Sequence, residues 1–286
     1  MVYADAIIQG ILLGGLYALF AAGLSLIFGV MRLVNIAHGD FIVLGAYLAL
    51  IAIQMTGLHP FLALLIVAPA MALAGYAIQR GLLNRTLGPN LLPPILVTFG
   101  LAVVIQNTLL MTFSTDTRRL AAGAIETASL SVGPISIGWL PLLTFVVAVA
   151  LIFALELVFY RTAIGRAFRA TSDDAETARA MGVNTRHVHA LAMALSFAVI
   201  AVAGVFLAVR SNFDPFSGPV RLIYGFEAVI IGGLGSLWGT LAGGIVLGVA
   251  QALGAQISPA MQILAGHLVF FLILAVRPRG LFPRMD

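Results

Sequence analysis

Long apolar runs alternate with short polar connections along the whole chain. The runs cover residues 5–29, 41–57, 61–79, 91–113, 139–159, 188–209, 222–253 and 260–276. Most are close to the length of about 20 residues with which a helix crosses the hydrocarbon core of a bilayer. Weak strand-like alternation argues against a transmembrane barrel. The pattern therefore predicts an all-α, polytopic transmembrane bundle, with residues 1–286 forming a single domain.

The run at 222–253 is too long for one span, and it contains the glycine-rich sequence IGGLGSLWGTLAGG. We expect two shorter helices that meet at a turn near Leu234–Trp238, which gives eight to nine membrane segments.

Glycines also recur at four-residue spacing, as at Gly10 and Gly14 and again at Gly244 and Gly248. Such small-residue ridges are typical of closely packed membrane helices.

The arginines predict the orientation of the bundle. Four lie in connections on one side, beside several acids: Arg118, Arg119, Arg210 and Arg221. The other eleven lie in connections on the opposite side: Arg32, Arg80, Arg85, Arg161, Arg166, Arg169, Arg179, Arg186, Arg277, Arg279 and Arg284. The positive-inside rule assigns this larger group to the cytoplasm, with the N-terminus outside and the C-terminus inside. An odd number of crossings is then required, and the broken helix supplies it.

Composition narrows the class of protein. Hydrophobic residues make up 61% of the chain, against 15 basic and 11 acidic residues, too few to cover a water-exposed surface of this size. The net charge of +4 reflects topology, so no nucleic-acid partner is expected. Cysteine is absent, which excludes disulfides and thiolate metal sites. Lysine is absent too, and a Walker A loop needs one, so any ATPase must be a separate chain.

The one thoroughly polar stretch is RATSDDAETARAMGVNTRHVHAL, residues 169–191, within the predicted cytoplasmic loop 160–187. Asp173 followed by Glu176 resembles a capping box, and Gly182 suits a helix C-terminus, so we expect a short helix near 174–181. Asn184 or Thr185 is expected to cap the next helix. One face of the short helix carries the small residues Ala175, Ala178 and Gly182. A solvated loop with incidental helicity is the alternative.

Polar residues inside membrane segments are the candidates for a substrate pathway. They are Asn35, His38, Asp40, Thr98, Gln106, Asn107 and Glu227. The first three, in NIAHGDF, either line a pathway or hold a re-entrant turn, with Gly39 permitting a tight bend, or form an ordinary loop capped by Asp40. Gln106 and Asn107 are expected to bond between helices or face substrate.

Glu227 either contacts a substrate ammonium group or pairs with Arg221. His38 and His267 lack paired ligand spacing, and we expect them to be hydrogen-bonded structural histidines with no metal or other cofactor.

Several stretches resemble one transporter family. Residues 165–208, GRAFRATSDDAETARAMGVNTRHVHALAMALSFAVIAVAGVFLA, are similar to the coupling loop and following helix of ABC importer permeases. AETARAMG is a loose form of their Glu-Ala-Ala…Gly motif, with Thr177 in place of the second alanine. GGLYALFAAGLSLIFGVMRLVNIAHGDFIVLGAY, ILVTFGLAVVIQN and AVIIGGLGSLWGTLAGG resemble the LivH-like permease subunit of branched-chain amino acid importers.

This resemblance implies a non-enzymatic permease of the bacterial cytoplasmic membrane. It implies a second homologous permease, two cytoplasmic ATPase subunits and an extracytoplasmic binding protein as partners. The ATPase would contact the chain through Asp173, Asp174, Ala175, Glu176, Ala178, Arg179 and Gly182.

Other functions remain as alternatives. Related systems carry urea, amides or aromatic acids. An ion-coupled secondary transporter would use buried carboxylates, for which Glu156 and Glu227 are the candidates. An intramembrane serine protease built on Ser236 and His267 is the weakest alternative.

Overall fold

The computed structural model describes residues 2–88, 90, 92–132 and 135–282. Within them lie eleven α-helices and one antiparallel hairpin. The helices are α1 (Val2–Met31), α2 (His38–Thr56), α3 (Pro60–Gly81), α4 (Leu92–Phe113), α5 (Trp139–Arg161), α6 (Ala163–Asp173), α7 (Ala175–Ala180), α8 (Thr185–Arg210), α9 (Gly218–Gly232), α10 (Leu237–Ile257) and α11 (Pro259–Val276). The strands are β1 (Ser129–Val132) and β2 (Ile135–Gly138). Eight of these helices are long and apolar enough to cross a membrane, which confirms the predicted helical membrane bundle.

The core of the bundle is built on α1 and α8, whose most apolar stretches are 83% and 78% buried. In α11 the corresponding share is only 6%, so its apolar side chains face outward, as those of a lipid-facing helix do. The hairpin, which we did not predict, belongs to the connection between α4 and α5.

Backbone contact at glycine joins α1 to α10. A Cβ added at Gly14 would lie 2.5 Å from the Cα of Ile245, and one at Gly10 would lie 2.6 Å from the Cα of Val249. In the other direction, a Cβ at Gly248 would lie 2.3 Å from the carbonyl oxygen of Gly10. The two predicted glycine ridges therefore pack against each other, and this contact leaves no room for a methyl group.

The predicted broken helix is confirmed, with shifted bounds. Helix α9 ends at Gly232, and the turn uses two positive φ angles, +111° at Gly233 and +80° at Gly235, which suit glycine. Ser236 caps α10, since its side chain accepts a hydrogen bond from the Gly239 N–H at 3.1 Å. Helix α9 begins at Gly218, before the predicted position 222. Its 15 residues span about 22 Å, less than the roughly 30 Å hydrocarbon core.

Contacts of this turn place it at one end of the bundle. A Cβ at Gly235 would lie 3.2 Å from the Cα of Gly29, near the end of α1. The N–H groups of Leu281 and Phe282 donate to the carbonyls of Ile231 and Gly232. Gly10, near the start of α1, lies against Val249, in the second half of α10. The start of the chain and residues 277–282 therefore lie at opposite ends of the bundle, as an odd number of membrane crossings requires.

The arginine groups also separate in space. Arg118 forms a β-bridge with Phe213, and the Nε of Arg119 donates to the carbonyl of Val209, so residues 118–119 lie beside the C-terminal end of α8. At the other end, Asn84 donates to the carbonyl of Arg186, and Ser172 donates to that of Gly29. We call this second end the arginine-rich end. Its assignment to the cytoplasm stays a prediction from the positive-inside rule.

Gly14→Ala tests the glycine contact. We expect it to lower the free energy of unfolding by about 1–3 kcal/mol, because the added methyl group forces α1 away from α10. The matched control is Gly100→Ala in α4, where nothing lies within 4 Å of the added Cβ. Thermal denaturation in detergent checks both variants, and equal midpoints would contradict the contact.

Single cysteines in this cysteine-free chain test the orientation. Met55 and Met181 are 81% and 80% exposed, the first near the end of α2 and the second at the arginine-rich end. In intact cells we expect an impermeant thiol reagent to modify Met55→Cys, and to modify Met181→Cys only after permeabilisation. The reverse pattern would invert the assignment.

Candidate functional site

Helix α2 begins deep inside the bundle. Its first residue, His38, is fully buried, and its Nε2 lies 2.7 Å from the carbonyl oxygen of Phe20. Phe20 is eleven residues before the end of α1, or about 16 Å along the helix. The connection between α1 and α2 therefore returns into the bundle, which fits the predicted re-entrant turn and excludes an ordinary loop at the surface.

Five of the seven candidate pathway residues meet at this point. The Nε2 of Gln106 donates to Oδ1 of buried Asp40 at 2.8 Å, and the Ile36 N–H donates to Oγ1 of Thr98 at 3.2 Å. Asn35 accepts from the Ala37 N–H at 3.1 Å. We call this cluster the α2 junction; its members are Asn35, His38, Asp40, Thr98 and Gln106.

The alternative in which Asp40 caps α2 is excluded. Ala37 occupies the N-cap position of α2 and makes no side-chain cap, and Asp40 lies within the first turn. Gly39 makes no bend through a positive φ angle. It permits close approach instead, because a Cβ there would lie 2.0 Å from the carbonyl oxygen of Gly218.

The start of α9 therefore touches the start of α2. A Cβ at Gly218 would lie 2.1 Å from Oδ1 of Asp40, so this carboxylate is adjacent to the N-termini of both helices. Helix N-termini carry partial positive charge and stabilise a nearby anion. Together with the Gln106 amide, they account for a carboxylate that is only 2% exposed.

Two buried atoms of the α2 junction have no hydrogen-bond partner within the described part of the chain. They are Nδ2 of Asn35 and Nδ1 of His38. A buried polar group left unpaired costs about 1–3 kcal/mol. The junction therefore has two atoms available for hydrogen bonds, which a water molecule or a rearranged neighbouring group would supply.

The other two candidate pathway residues lie elsewhere. The amide of Asn107 donates to the carbonyl of Val103 in its own helix, so the expected interhelical bond is absent from the described residues, and its exposed side chain facing substrate stays a prediction. Buried Glu227 bonds to His267 of α11, and the expected pairing with Arg221 is absent among the described ion pairs. The prediction that His38 and His267 are hydrogen-bonded is confirmed, and their purely structural role stays a prediction.

The connection between α5 and α8 holds two helices, and only the second was predicted. Helix α6 begins at a cap in which Thr162 accepts from the Gly165 N–H at 3.0 Å. Its buried Phe168 packs against Phe159 of α5, with ring centroids 5.4 Å apart. Ser172 donates to the carbonyl of Gly29 at 2.6 Å. Helix α6 is therefore tied to both α5 and α1.

Asp174 caps α7, and Asp173 does not, contrary to the predicted capping box. Asp173 ends α6, whereas Oδ1 of Asp174 accepts from the N–H groups of Glu176 and Thr177 at 2.9 and 3.0 Å. The Thr177 hydroxyl bonds to the other oxygen, and these bonds hold the pKa of the Asp174 carboxyl below its usual value. The cap is therefore strongest with the carboxylate ionised, and weakens only as pH falls through this lowered pKa.

The end of α7 follows the prediction. Gly182 has a φ of +88°, and the Val183 N–H donates to the carbonyl of Ala178 at 3.0 Å, as in a glycine-terminated helix. Asn184, one of the two predicted caps, caps α8 by accepting from the His187 N–H at 3.1 Å. Thr185 is instead the first residue of α8.

Of the three small residues predicted to form the exposed face of α7, only Gly182 is exposed. Ala178 is only 5% exposed, because it faces the protein, and Ala175 is partly buried. The outward surface carries larger or charged side chains, among which Met181 is 80% exposed. We call this surface the α7 face; it consists of Glu176, Thr177, Arg179, Ala180 and Met181.

Comparison with known proteins decides the family. Residues 6–277 match the family described as the permease component of the branched-chain amino acid transport system. The chain belongs to this family. As the family implies, it is a multi-pass membrane protein and a transport component without catalytic activity of its own.

Individual relatives cover almost the whole chain. The high-affinity branched-chain amino acid transport system permease protein BraD of Pseudomonas aeruginosa is 30% identical, over 99% of this chain and 97% of the relative. LivH of Escherichia coli is 27% identical, over 99% and 96%. LivM of Escherichia coli, also named as a permease of this system, is 25% identical over 94% of this chain and 68% of its own length.

Adjacent residues of α4 test the α2 junction. Gln106→Leu leaves the buried Asp40 carboxylate without its amide donor, and we expect a loss of about 1.5–3 kcal/mol in stability. The control Asn107→Leu removes only a bond within an exposed helix, and should be close to neutral. Thermal unfolding in lipid nanodiscs compares the two, and a Gln106→Leu protein as stable as the control would contradict the role of this bond.

Proposed function

We propose that this chain is one membrane-spanning subunit of an ATP-driven importer for branched-chain amino acids. It forms part of the translocation pathway and transmits the movement of separate ATPase subunits to it. The observation that carries this proposal is the α7 face, an exposed helical surface at the arginine-rich end of a family member that itself lacks lysine.

The connections of α7 suit it to transmit force. Asp174 joins it to α6 without a flexible linker, and only residues 181–184 separate it from α8. Helix α6 is bonded to α1 through Ser172 and packs on α5 through Phe168. A displacement of α7 would therefore move α1, α5 and α8 together.

The α2 junction is the part of the pathway that would respond. Two helices begin there inside the bundle, and interrupted helices at membrane depth recur in transporter pathways. Helix α4 packs chiefly on α2, which it reaches through the bond from Gln106 to Asp40, and Thr98 bonds to Ile36 just before α2. Rearrangement of these polar contacts would release α4 without breaking the glycine contact between α1 and α10.

The partners follow from the same proposal. The ATPases lie on the cytoplasmic side, because the arginine-rich end carries the α7 face. A second, homologous permease completes the membrane part, which is supported by the similarity of this one chain to both LivH and LivM. An extracytoplasmic binding protein delivers the cargo, and the location is a bacterial cytoplasmic membrane.

Met181→Asp tests the coupling surface. A charge in the middle of a packed interface should reduce ATPase co-purification by about tenfold or more, equivalent to about 1.4 kcal/mol, and ATP-driven leucine uptake should fall with it. Met55→Asp is the matched control, since it changes an equally exposed methionine in α2.

Membrane expression and thermal stability should match wild type in both variants, because neither side chain is buried. If Met181→Asp retains ATPase binding and leucine uptake at wild-type levels, α7 is not the coupling element.

A further inference from the structure

A cavity of about 1100 Å³ lies at the arginine-rich end. Its walls come from the end of α1, the end of α5, helix α6, the turn before α10 and residues 278–279. None of the seven candidate pathway residues lines it. The charged residues in its lining are Arg32, Glu156, Arg169, Asp173 and Arg279.

Glu156 is the acidic group on the α5 wall. It lies five residues before Arg161, the last residue of α5, or about 7 Å inside the helix end. No hydrogen bond or ion pair to the Glu156 carboxylate is present in the described ranges 2–88, 90, 92–132 and 135–282. An ionisable residue in a membrane segment is costly and commonly marks a site for an ion or a polar substrate.

Arginines supply the opposite charge. Arg169 is already engaged, because it donates to the carbonyl of Phe159 and lies over the ring of Tyr160, 5.1 Å from its centroid. Arg32 and Arg279 are exposed at the cavity wall and belong to two different segments. The cavity thus offers the Glu156 carboxylate on the α5 wall, Asp173 at the end of α6, and guanidinium groups on other walls.

Apolar side chains complete the cavity. Phe28, Leu234 and Trp238 line it, and Leu234 and Trp238 are 41% and 45% exposed. A zwitterion with a hydrocarbon side chain needs an anion for its ammonium group, a cation for its carboxylate and an apolar surface. An anionic lipid headgroup would also be attracted by the arginines, but the Glu156 carboxylate would repel it.

We propose that this cavity is the exit vestibule of the pathway, in which Glu156 binds the ammonium group of the cargo while Arg32 and Arg279 face its carboxylate. The inference rests on the proposed function, because it requires the chain to carry a branched-chain amino acid. Binding there is weak and hydrated, since the volume exceeds that of a closed small-molecule pocket, about 300–1,000 Å³. Helix α6 forms one wall, so a displacement of α7 by the ATPase also changes the shape of the vestibule.

Protection of a single cysteine by leucine tests the vestibule. Leu234→Cys places a thiol in the cavity wall, and Leu82→Cys places one outside the cavity, at the end of α3, with a similar exposure of 46%. The full chain with its partner subunits is reconstituted in phosphatidylcholine nanodiscs, and modification by a small neutral thiol reagent is timed. Leucine at a concentration equal to its Kd should slow modification of Leu234→Cys about twofold by occupancy alone, and leave Leu82→Cys unchanged.

A second variant assigns the role to Glu156. Glu156→Gln, added to Leu234→Cys, should abolish protection by leucine and lower ATP-driven leucine uptake, and Glu156→Asp should restore part of both. ATPase co-purification should stay at the wild-type level, because Glu156 is not part of the α7 face.

Wild-type uptake in the same preparation separates this inference from the proposed function. If wild type shows no ATP-driven leucine uptake, the proposed function fails, and the vestibule fails with it. If uptake is present but leucine does not protect Leu234→Cys, or protects it equally in Glu156→Gln, the vestibule alone is overturned. If phosphatidylglycerol nanodiscs protect Leu234→Cys without leucine, the vestibule is also overturned, and the cavity is identified as a lipid site.

Discussion

Close backbone contact between α1 and α10 is the constraint on which the rest of the bundle depends. Inside a bilayer no water drives helices together, so packing contact has to hold them. Gly14 and Gly248 bring the two backbones to a separation at which even one methyl group would overlap. Because α1 also carries the carbonyl of Phe20 to His38 and that of Gly29 to Ser172, its position fixes both the α2 junction and helix α6.

This rigid pair makes irregular backbone possible elsewhere. Non-helical segments at membrane depth are tolerated only where protein or a water-filled cavity surrounds them. The turn at Gly233–Ser236 is bordered by the end of α1, by residues 280–282 and by the cavity, and the start of α2 is enclosed by α1, α4 and α9. The irregular segments, which can change shape, are thus held in place by the closely packed helices α1 and α10, which cannot.

Much of the fold could be predicted from the sequence, because a membrane-spanning helix is recognised mainly by the length of its apolar run. The broken helix could also be predicted, since its glycines favour a turn and the distribution of arginines requires an odd number of membrane crossings. Helix α6 was missed because its buried face is short and its composition is polar, although Thr162 was a usable capping signal. Asp173 and Asp174 are adjacent, and only the backbone conformation decides which of them caps α7.

The candidate site was predictable in its membership and not in its arrangement. Asn35, His38 and Asp40 were identified as polar residues between apolar runs, but the depth at which α2 begins depends on packing against α1. Gln106 and its neighbour Asn107 point to different sides of α4, which depends on how that helix is rotated. Glu227 finds a partner 40 residues away in α11, and no local pattern indicates such a pair. The cavity walls come from segments far apart in the chain, so no single motif marks them.

We propose that the α7 face is where an ATPase acts on this chain. Site-specific photo-crosslinking in living cells tests it directly, with a photoreactive amino acid in place of exposed Met181 and mass spectrometry of the product. We expect one dominant adduct with a cytoplasmic ATPase of the same transport system, formed in the absence of added substrate. An adduct with an extracytoplasmic protein, or with lipid alone in cells that import leucine, would contradict it.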